Sequence, residues 1–218
     1  LLADGVPDAA IRVTGNPVID ALHSILTRPV PREAQELLDR LKIGPGGREL
    51  VLVTAHRREN FGLPLENICR ALLALAQTYP DRLQIVYPVH LNPNVQEPVH
   101  RLLDGVPNIT LLPPLEYLPL VHLMRSAVLV LTDSGGIQEE ATALNKPTLV
   151  LREVTERPEG VQAGVLKLVG TDTDRILAEA RRLLEDPLAY AEMSGAPNPF
   201  GDGHAAGRIV QAILEASQ

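Results

Sequence analysis

Seven short apolar segments alternate with helical patterns along this chain, and that alternation constrains its fold more than any other feature. Each segment is a continuous apolar run, which is typical of strands buried on both faces of a sheet. Strands that alternate with helices predict a parallel sheet with right-handed crossovers and helices on both faces. We therefore predict an α/β fold with a doubly wound parallel sheet. The predicted strands are 11–15, 49–55, 83–89, 109–114, 127–133, 147–152 and 166–170.

Apolar residues recur at helical spacing between several of these segments, as expected for helices that pack one face on a sheet. In the stretch 65–79, for example, Leu65, Ile68 and Leu72 fall on one side of a helix. The predicted helices are 65–79, 117–126, 136–145, 174–185 and 204–216.

Three parts of the chain differ in organisation. Residues 1–25 hold one strand and one helix, and we expect them to be the remnant of a preceding domain and its crossover. The Pro- and Gly-bounded stretch 26–48, with one short amphipathic helix, leads into a main domain that we place at 26–190. Residues 191–218 are expected to form a C-terminal crossover segment and helix.

Composition excludes several classes of function. The formal net charge is −7, which argues against a nucleic-acid-binding surface, although local groups can still hold a small anion. No apolar run reaches the roughly 18 residues that span a bilayer, so no membrane partner is expected. The lone cysteine, Cys69, cannot form an internal disulfide, which indicates a reducing compartment, and its apolar neighbours indicate an inert core position. His90, Glu97 and His100 lack the spacing of a metal site, so neither a metal nor a cofactor is expected.

Ligands of open α/β sheets bind at the carboxyl ends of the strands, so the loops that follow the strands should carry the chemistry. These loops contain the unusual polar residues of the chain. They are 55–62, 88–94, 113–117, 133–140 and 152–160.

The loop that begins Asp-Ser-Gly-Gly admits two interpretations. With His56, the residues Asp133 and Ser134 could form a serine-hydrolase triad. That interpretation is disfavoured, because Ser134 ends a buried strand and opens a helix, and no G-x-S-x-G elbow is present. A phosphate cradle fits better, since two glycines at a helix N-terminus leave backbone N–H groups free and let an anion approach closely.

The charged residues around this cradle leave alternatives open. Glu139 and Glu140 either complement the helix N-terminus or reach the vicinal hydroxyls of a ribose. His56 and its neighbours Arg57 and Arg58 suit an anion at a strand end, although the arginines could equally be solvated or paired with a nearby glutamate. The chain has no G-x-x-x-x-G-K and no G-x-G-x-x-G, so neither a nucleoside triphosphatase nor a dinucleotide oxidoreductase is indicated.

Six motifs, in order along nearly the whole chain, resemble those of the non-hydrolysing UDP-N-acetylglucosamine 2-epimerases. They are "VTGNPVIDAL", "TAHRRENFG", "YPVHLNPNV", "LTDSGGIQEEA", "TERPEG" and "NPFGDGHAAGRI". The resemblance implies two Rossmann-like domains of the GT-B type with a UDP-sugar in the cleft between them. It also implies interconversion of UDP-GlcNAc and UDP-ManNAc by elimination and re-addition of UDP, usually in a cytoplasmic homodimer that serves polysaccharide biosynthesis.

The resemblance also implies roles for particular residues. His56 would face the diphosphate and take part in catalysis, and Glu140 would hold the ribose. Leu120 stands where relatives often carry an aromatic residue against the uracil. His90 matches a contact to a second UDP-GlcNAc that activates some bacterial relatives. The residues implied to hold the diphosphate are Ser134, Gly135, Gly136 and Arg157.

This chain matches the second half of the family pattern. Relatives carry a preceding domain that holds the carboxylates expected to move the C2 proton. We therefore expect residues 26–190 to be the UDP-binding domain and the chain by itself to be inactive. Two other functions stay open at this point, a UDP-sugar-binding half of a GT-B glycosyltransferase and a non-catalytic UDP-sugar sensor.

Overall fold

The computed structural model describes residues 1–216 and has one six-stranded sheet at its centre. The strand order is β3-β2-β1-β4-β5-β6, and every neighbouring pair is parallel. The prediction of six parallel strands within 49–170 is therefore confirmed. The strands are β1 (Glu49–Thr54), β2 (Leu83–Pro88), β3 (Ile109–Leu112), β4 (Ala127–Thr132), β5 (Thr148–Val150) and β6 (Leu166–Leu168).

Helices cover both faces of this sheet, as the sequence predicts. Alternate residues of β1 point to opposite faces, so Val51 and Val53 pack beneath α3, α4 and α8, while Leu50 and Leu52 pack beneath α2, α5 and α6. Burying each such side chain contributes about 1.5–3 kcal/mol. The helices are α1 (Pro17–Leu26), α2 (Arg32–Arg40), α3 (Leu63–Thr78), α4 (Pro93–Leu103), α5 (Tyr117–Ser126), α6 (Gly135–Ala143), α7 (Pro158–Gln162), α8 (Thr173–Glu185), α9 (Pro187–Gly195) and α10 (Ala205–Ala216). No helix in this part of the chain is long and apolar enough to cross a membrane.

The sheet has its topological switch point between β1 and β4. The chain runs outward from β1 to β2 and β3, and then returns to the centre and runs the other way from β4 to β5 and β6. Loops that leave adjacent strands in opposite directions open a crevice at their carboxyl ends. The sequence-predicted site lies at this crevice.

The segment 11–15 is not a strand, and this prediction was wrong. Its backbone is irregular, and Val13 is 93% exposed. A β-type sequence forms a strand only beside another strand, and none in residues 1–216 pairs with this one. Proline accounts for a smaller error at β3, which ends at Leu112 because Pro113 and Pro114 lack the N–H that would continue the ladder.

Helix α4 has no counterpart in the sequence-based prediction. Asn92 caps it by accepting a hydrogen bond from the N–H of Asn94, and Pro93 occupies the first turn, where its missing N–H is harmless. The helix also contains Pro98, which normally argues against a helix interior. Burial of Val95, Val99 and Leu103 on the sheet compensates, so tertiary packing overrides the local preference.

The first and last parts of the chain meet beside α6. The N–H of Asn16 donates to the carbonyl of Phe200 (2.8 Å), and the Asp20 carboxylate accepts hydrogen bonds from the first two N–H groups of α10. Helix α1 also packs on α5 and α6. The segment that precedes the sheet is therefore attached to the same body as the predicted site.

Candidate functional site

Helix α6 begins at the carboxyl end of β4 and presents its N-terminus to the crevice. Ser134 occupies the N-cap position, but its hydroxyl makes no capping bond, and its own N–H donates to Thr132 Oγ1 at 2.9 Å. The space beside Gly136 is open, since a Cβ there would meet no atom within 4 Å. The first turn thus leaves room for an anion against its backbone N–H groups.

Two guanidinium groups lie beside this helix N-terminus. A Cβ built on Gly135 would be 3.7 Å from Nη2 of Arg157 and 3.8 Å from Nη2 of Arg57. Arg57 comes from the loop after β1, and Arg157 from the loop after β5, so both sides of the crevice contribute a cation. Positive charge converges on the turn that the sequence predicts to be a phosphate cradle.

Arg57 is a site residue that the sequence left undecided. Glu59, the neighbouring glutamate considered as its partner, instead binds Arg152. No carboxylate in residues 1–216 lies within ion-pair distance of the Arg57 guanidinium, so its charge is available to a ligand. Glu59 and Arg152 are 93 positions apart in the chain, so no local sequence pattern predicts that they pair.

The Asp133 carboxylate lies beneath the cradle and is fully buried. Its Oδ2 accepts hydrogen bonds from the N–H groups of His56 (2.8 Å) and Arg57 (2.8 Å) and from Nδ2 of Asn60 (3.0 Å). The same Asn60 amide also donates to the carbonyl of Leu151. One carboxylate oxygen therefore holds the loop after β1 against the ends of β4 and β5.

The His56 imidazole stands at the mouth of the crevice, stacked on His90 with ring centroids 5.3 Å apart. Partial burial lowers the pKa of His56 below its usual value, and the positive charge of Arg57 and a charged His90 lower it further. Asp133, whose Oδ1 lies 3.8 Å from Nδ1 of His56, opposes that shift. Burial therefore favours the neutral imidazole when no ligand is bound.

The two glutamates of α6 have different partners. Glu139 binds Arg157 Nε through Oε1 and accepts from Asn16 Nδ2 (2.7 Å) through Oε2. It thereby fixes the Arg157 guanidinium beside Gly135 and ties α1 to the site.

Glu140 faces the other side of α6. Its Oε1 accepts a hydrogen bond from the Tyr117 hydroxyl (3.0 Å). Burial raises the pKa of Glu140 above its usual value, the Tyr117 hydrogen bond opposes this rise, and the charge of Glu139 adds to it. Tyr117 is a second site residue that sequence reasoning missed, although an aromatic residue in the loop after β3 was a usable signal.

Arg152 links two of the loops that surround the cradle. It is 5% exposed and donates to Glu59 (2.5 Å) and Glu156 (2.6 Å). Its hydrogen bond lowers the pKa of Glu156 to about 2. Because Arg152 holds these carboxylates in hydrogen bonds, neither of them forms an ion pair with Arg57 or Arg157.

The structure brings most of the sequence-predicted residues together. Leu120 differs, because it lies on α5 and packs against the core cluster on that face of the sheet. A cleft of about 400 Å³ between the loops after β1 and β2 is lined by residues that include His56, Arg58, His90 and Asn92. In the described chain, no hydrogen bond joins the Ser134 hydroxyl to His56, and no group of three or more His, Cys, Asp or Glu could hold a metal ion.

A doubly wound sheet with cations around a helix N-terminus at its switch point is the architecture that many α/β nucleotide-binding proteins share. Sequence comparison then identifies the family, because the family model for UDP-N-acetylglucosamine 2-epimerase matches residues 1–214. This chain belongs to the UDP-N-acetylglucosamine 2-epimerase family.

Individual relatives agree with this assignment. The chain is 52% identical to the UDP-N-acetylglucosamine 2-epimerase of Salmonella typhimurium over 98% of its own length and 57% of that protein. The UDP-GlcNAc 2-epimerase from Neisseria meningitidis bound to UDP-GlcNAc is 44% identical, with a TM-score of 0.90 over 98% of this chain and 58% of that one. The S. aureus MnaA–UDP structure is 42% identical, with a TM-score of 0.89 over 97% of this chain and 56% of that one. The chain therefore spans a little over half the length of its relatives and matches their C-terminal half.

The hydrogen bond between Tyr117 and Glu140 yields a test of the site's electrostatics. Tyr117→Phe removes a donor to the ionised carboxylate, so the pKa of Glu140 should rise further. An NMR titration that follows the carboxyl carbon of Glu140 measures this pKa. Tyr190→Phe, which alters a partly buried tyrosine elsewhere, is the matched control and should leave the titration unchanged. An unchanged pKa in Tyr117→Phe would show that the hydroxyl does not stabilise the carboxylate.

Proposed function

We propose that this chain is the UDP-binding half of a UDP-N-acetylglucosamine 2-epimerase, which interconverts UDP-GlcNAc and UDP-ManNAc by elimination and re-addition of UDP. The observation that carries the proposal is the position of the Arg57 and Arg157 guanidinium groups beside Gly135 at the N-terminus of α6. The names of its relatives, one of them bound to UDP-GlcNAc, support the same substrate.

The proposed reaction requires strong binding and stabilisation of the departing diphosphate. When the bond between C1 and UDP breaks, negative charge develops on the β-phosphate, and preorganised donors lower the barrier most where charge develops. The N–H groups of Gly135 and Gly136, together with Arg157 and Arg57, supply such donors. His56 stands at the same crevice and can add a proton-bearing donor.

We further propose that Glu140 binds the ribose. Tyr117 occupies one of its carboxylate oxygens, which leaves the other to accept hydrogen bonds from vicinal hydroxyls. Leu120 packs against the core, so this position offers the uracil no aromatic stack, and we expect the ribose contact to contribute more to nucleotide selection.

The ribose role predicts a specific loss of affinity. Glu140→Ala should weaken UDP binding by about 1–3 kcal/mol, the scale for a charge-assisted hydrogen bond. Calorimetry should show that 2′-deoxy-UDP binds the wild type more weakly than UDP, whereas the variant binds both alike. Glu192→Ala, which removes an exposed glutamate remote from the crevice, should bind UDP as the wild type does. Equal discrimination by wild type and Glu140→Ala would refute the ribose contact.

The proton chemistry at C2 has separate requirements. Epimerisation needs a base within hydrogen-bond reach of that proton. The carboxylates that surround the cradle are already engaged by Arg, Tyr or backbone donors. These carboxylates are Glu59, Asp133, Glu139, Glu140 and Glu156.

We therefore expect this 218-residue chain to bind UDP-GlcNAc without epimerising it. The measurement is incubation with UDP-GlcNAc in D₂O, with proton NMR of C2. A protein that also contains the missing share of its relatives' length is the positive control and should exchange C2 and form UDP-ManNAc. Deuterium at C2 with this chain alone would place a base among its own residues. If the longer protein transfers the sugar to an acceptor, a glycosyltransferase is favoured. If it binds UDP-GlcNAc without exchange at C2, a sensor is favoured.

The cleft beside the cradle is a candidate second UDP-GlcNAc site. Its lining includes Arg58 and the stacked pair of His56 and His90, which suits a second anionic ligand. In an active longer protein, His90→Ala should abolish any sigmoidal dependence of rate on UDP-GlcNAc and leave UDP binding at the cradle intact. A hyperbolic wild-type curve, or a sigmoidal His90→Ala curve, would contradict an activator role.

We also propose that the whole protein is a cytoplasmic homodimer, on the strength of the family resemblance. The buried free Cys69, whose pKa burial raises to about 12, is consistent with a reducing compartment. Light scattering of the longer protein tests the assembly, and a monomer at micromolar concentration would contradict it.

A further inference from the structure

The Asp133 carboxylate uses its two oxygens unequally. Oδ2 accepts three hydrogen bonds, whereas the equally buried Oδ1 has no hydrogen-bond partner in residues 1–216. A buried ionised oxygen without a donor is unfavourable, and such orphans in native proteins usually mark a functional site. The mechanism proposed above makes no use of this atom.

The imidazole of His56 is a proton-bearing side chain that lies close to this oxygen. Its Nδ1 lies 3.8 Å from Oδ1, about one ångström beyond hydrogen-bond distance. The backbone N–H of His56 is held by Oδ2 of the same carboxylate, which keeps the imidazole close to Oδ1. Stacking on His90 keeps the ring plane within 10° of parallel and limits other movements.

We propose that Asp133 is a positioning residue that directs Nδ1–H of His56 toward itself, so that Nε2 faces the diphosphate and takes up a proton when the anion binds. The identity of the anion rests on the proposed function, whereas the orientation of His56 does not.

The proton balance follows from the tautomer. With its proton on Nδ1, neutral His56 presents the lone pair of Nε2 to the crevice, and that lone pair repels a phosphate oxygen. Binding of the diphosphate therefore favours formation of an N–H bond at Nε2 with one proton taken from solvent, and no bond in the protein breaks. The imidazolium then lies between two anions, Asp133 and the diphosphate, and its interaction strengthens as the leaving diphosphate gains charge.

The sign of the pH dependence follows from the groups that face His56. Burial, Arg57 and a charged His90 disfavour the proton in the free protein, and Asp133 alone favours it. Bound diphosphate adds a second favourable charge, so the pKa of His56 should rise from below about 6.5 to above it. Between the free and bound pKa values, binding takes up one proton, and UDP affinity should fall up to tenfold for each unit of rising pH.

The experiment is NMR of the chain labelled with ¹⁵N-histidine, with and without UDP. In the free protein the neutral His56 should be the Nδ1–H tautomer, and its pKa should rise on addition of UDP. Asp133→Asn keeps an oxygen acceptor for the backbone N–H groups but replaces the charge, and its NH₂ faces Nδ1. The variant should therefore shift neutral His56 to the Nε2–H tautomer and lose the pH dependence of UDP affinity.

Asp186→Asn is the matched control. It removes the same charge from the N-cap of α9 and keeps the cap, because asparagine caps helices as well as aspartate does. The His56 tautomer and the pH profile should be those of the wild type. Backbone amide spectra of each variant report whether it is folded.

The outcomes separate this proposal from the proposed function. If UDP leaves the amide chemical shifts of Gly135 and Gly136 unchanged, the proposed function fails. The tautomer of His56 in the free protein still tests the role of Asp133 in that case. If UDP binds but Asp133→Asn retains the Nδ1–H tautomer or the wild-type pH slope, the positioning role is wrong. If Asp133→Asn does not fold, the wild type alone tests the proposal. An Nε2–H tautomer of His56 in the free wild type, or a His56 pKa that UDP leaves unchanged, would overturn it.

Discussion

The buried carboxylate of Asp133 is the interaction on which the candidate site depends. Strands β1 and β4 lie side by side at the centre of the sheet, and this carboxylate fastens the loop of one to the end of the other. A hydrogen bond between the hydroxyl groups of Thr54 and Thr132 (2.7 Å) joins the last residues of the same two strands. Together with the pairing of β1 and β4, these bonds hold His56 and Arg57 over the N-terminus of α6.

Charge pairing around the crevice explains how an acidic chain can offer an anion site. Arg157 is oriented by Glu139, which is itself held by Asn16, and Arg152 pairs with Glu59 and Glu156. Glu59, Glu139 and Glu156 are thereby each paired with another arginine, and Arg57 is left with an available charge. The net charge of −7 describes the whole surface, whereas a bound phosphate responds to the few groups within several ångströms of it.

The family assignment and the site geometry support each other from independent directions. Six ordered motifs predict the family, and the family model covers residues 1–214. The geometry adds what a motif cannot provide, because it distinguishes Glu139, which orients Arg157, from Glu140, which faces Tyr117. Two adjacent glutamates on a helix point about 100° apart, so they meet different neighbours.

The sequence by itself determined the class of fold, the six strands of the sheet and the loops that carry the site, because burial on both faces leaves continuous apolar runs and parallel strands end at one edge. It also predicted the cradle, since Gly-Gly after a strand is a local signal. Only the tertiary structure decided that 11–15 has no strand partner, that α4 forms despite Pro98, that Asp133 holds the loop after β1, and that Arg57 and Tyr117 lie beside α6. Each of these depends on contacts between residues far apart in the chain, as with Asp133 and His56 at a separation of 77, and no local pattern encodes such a contact.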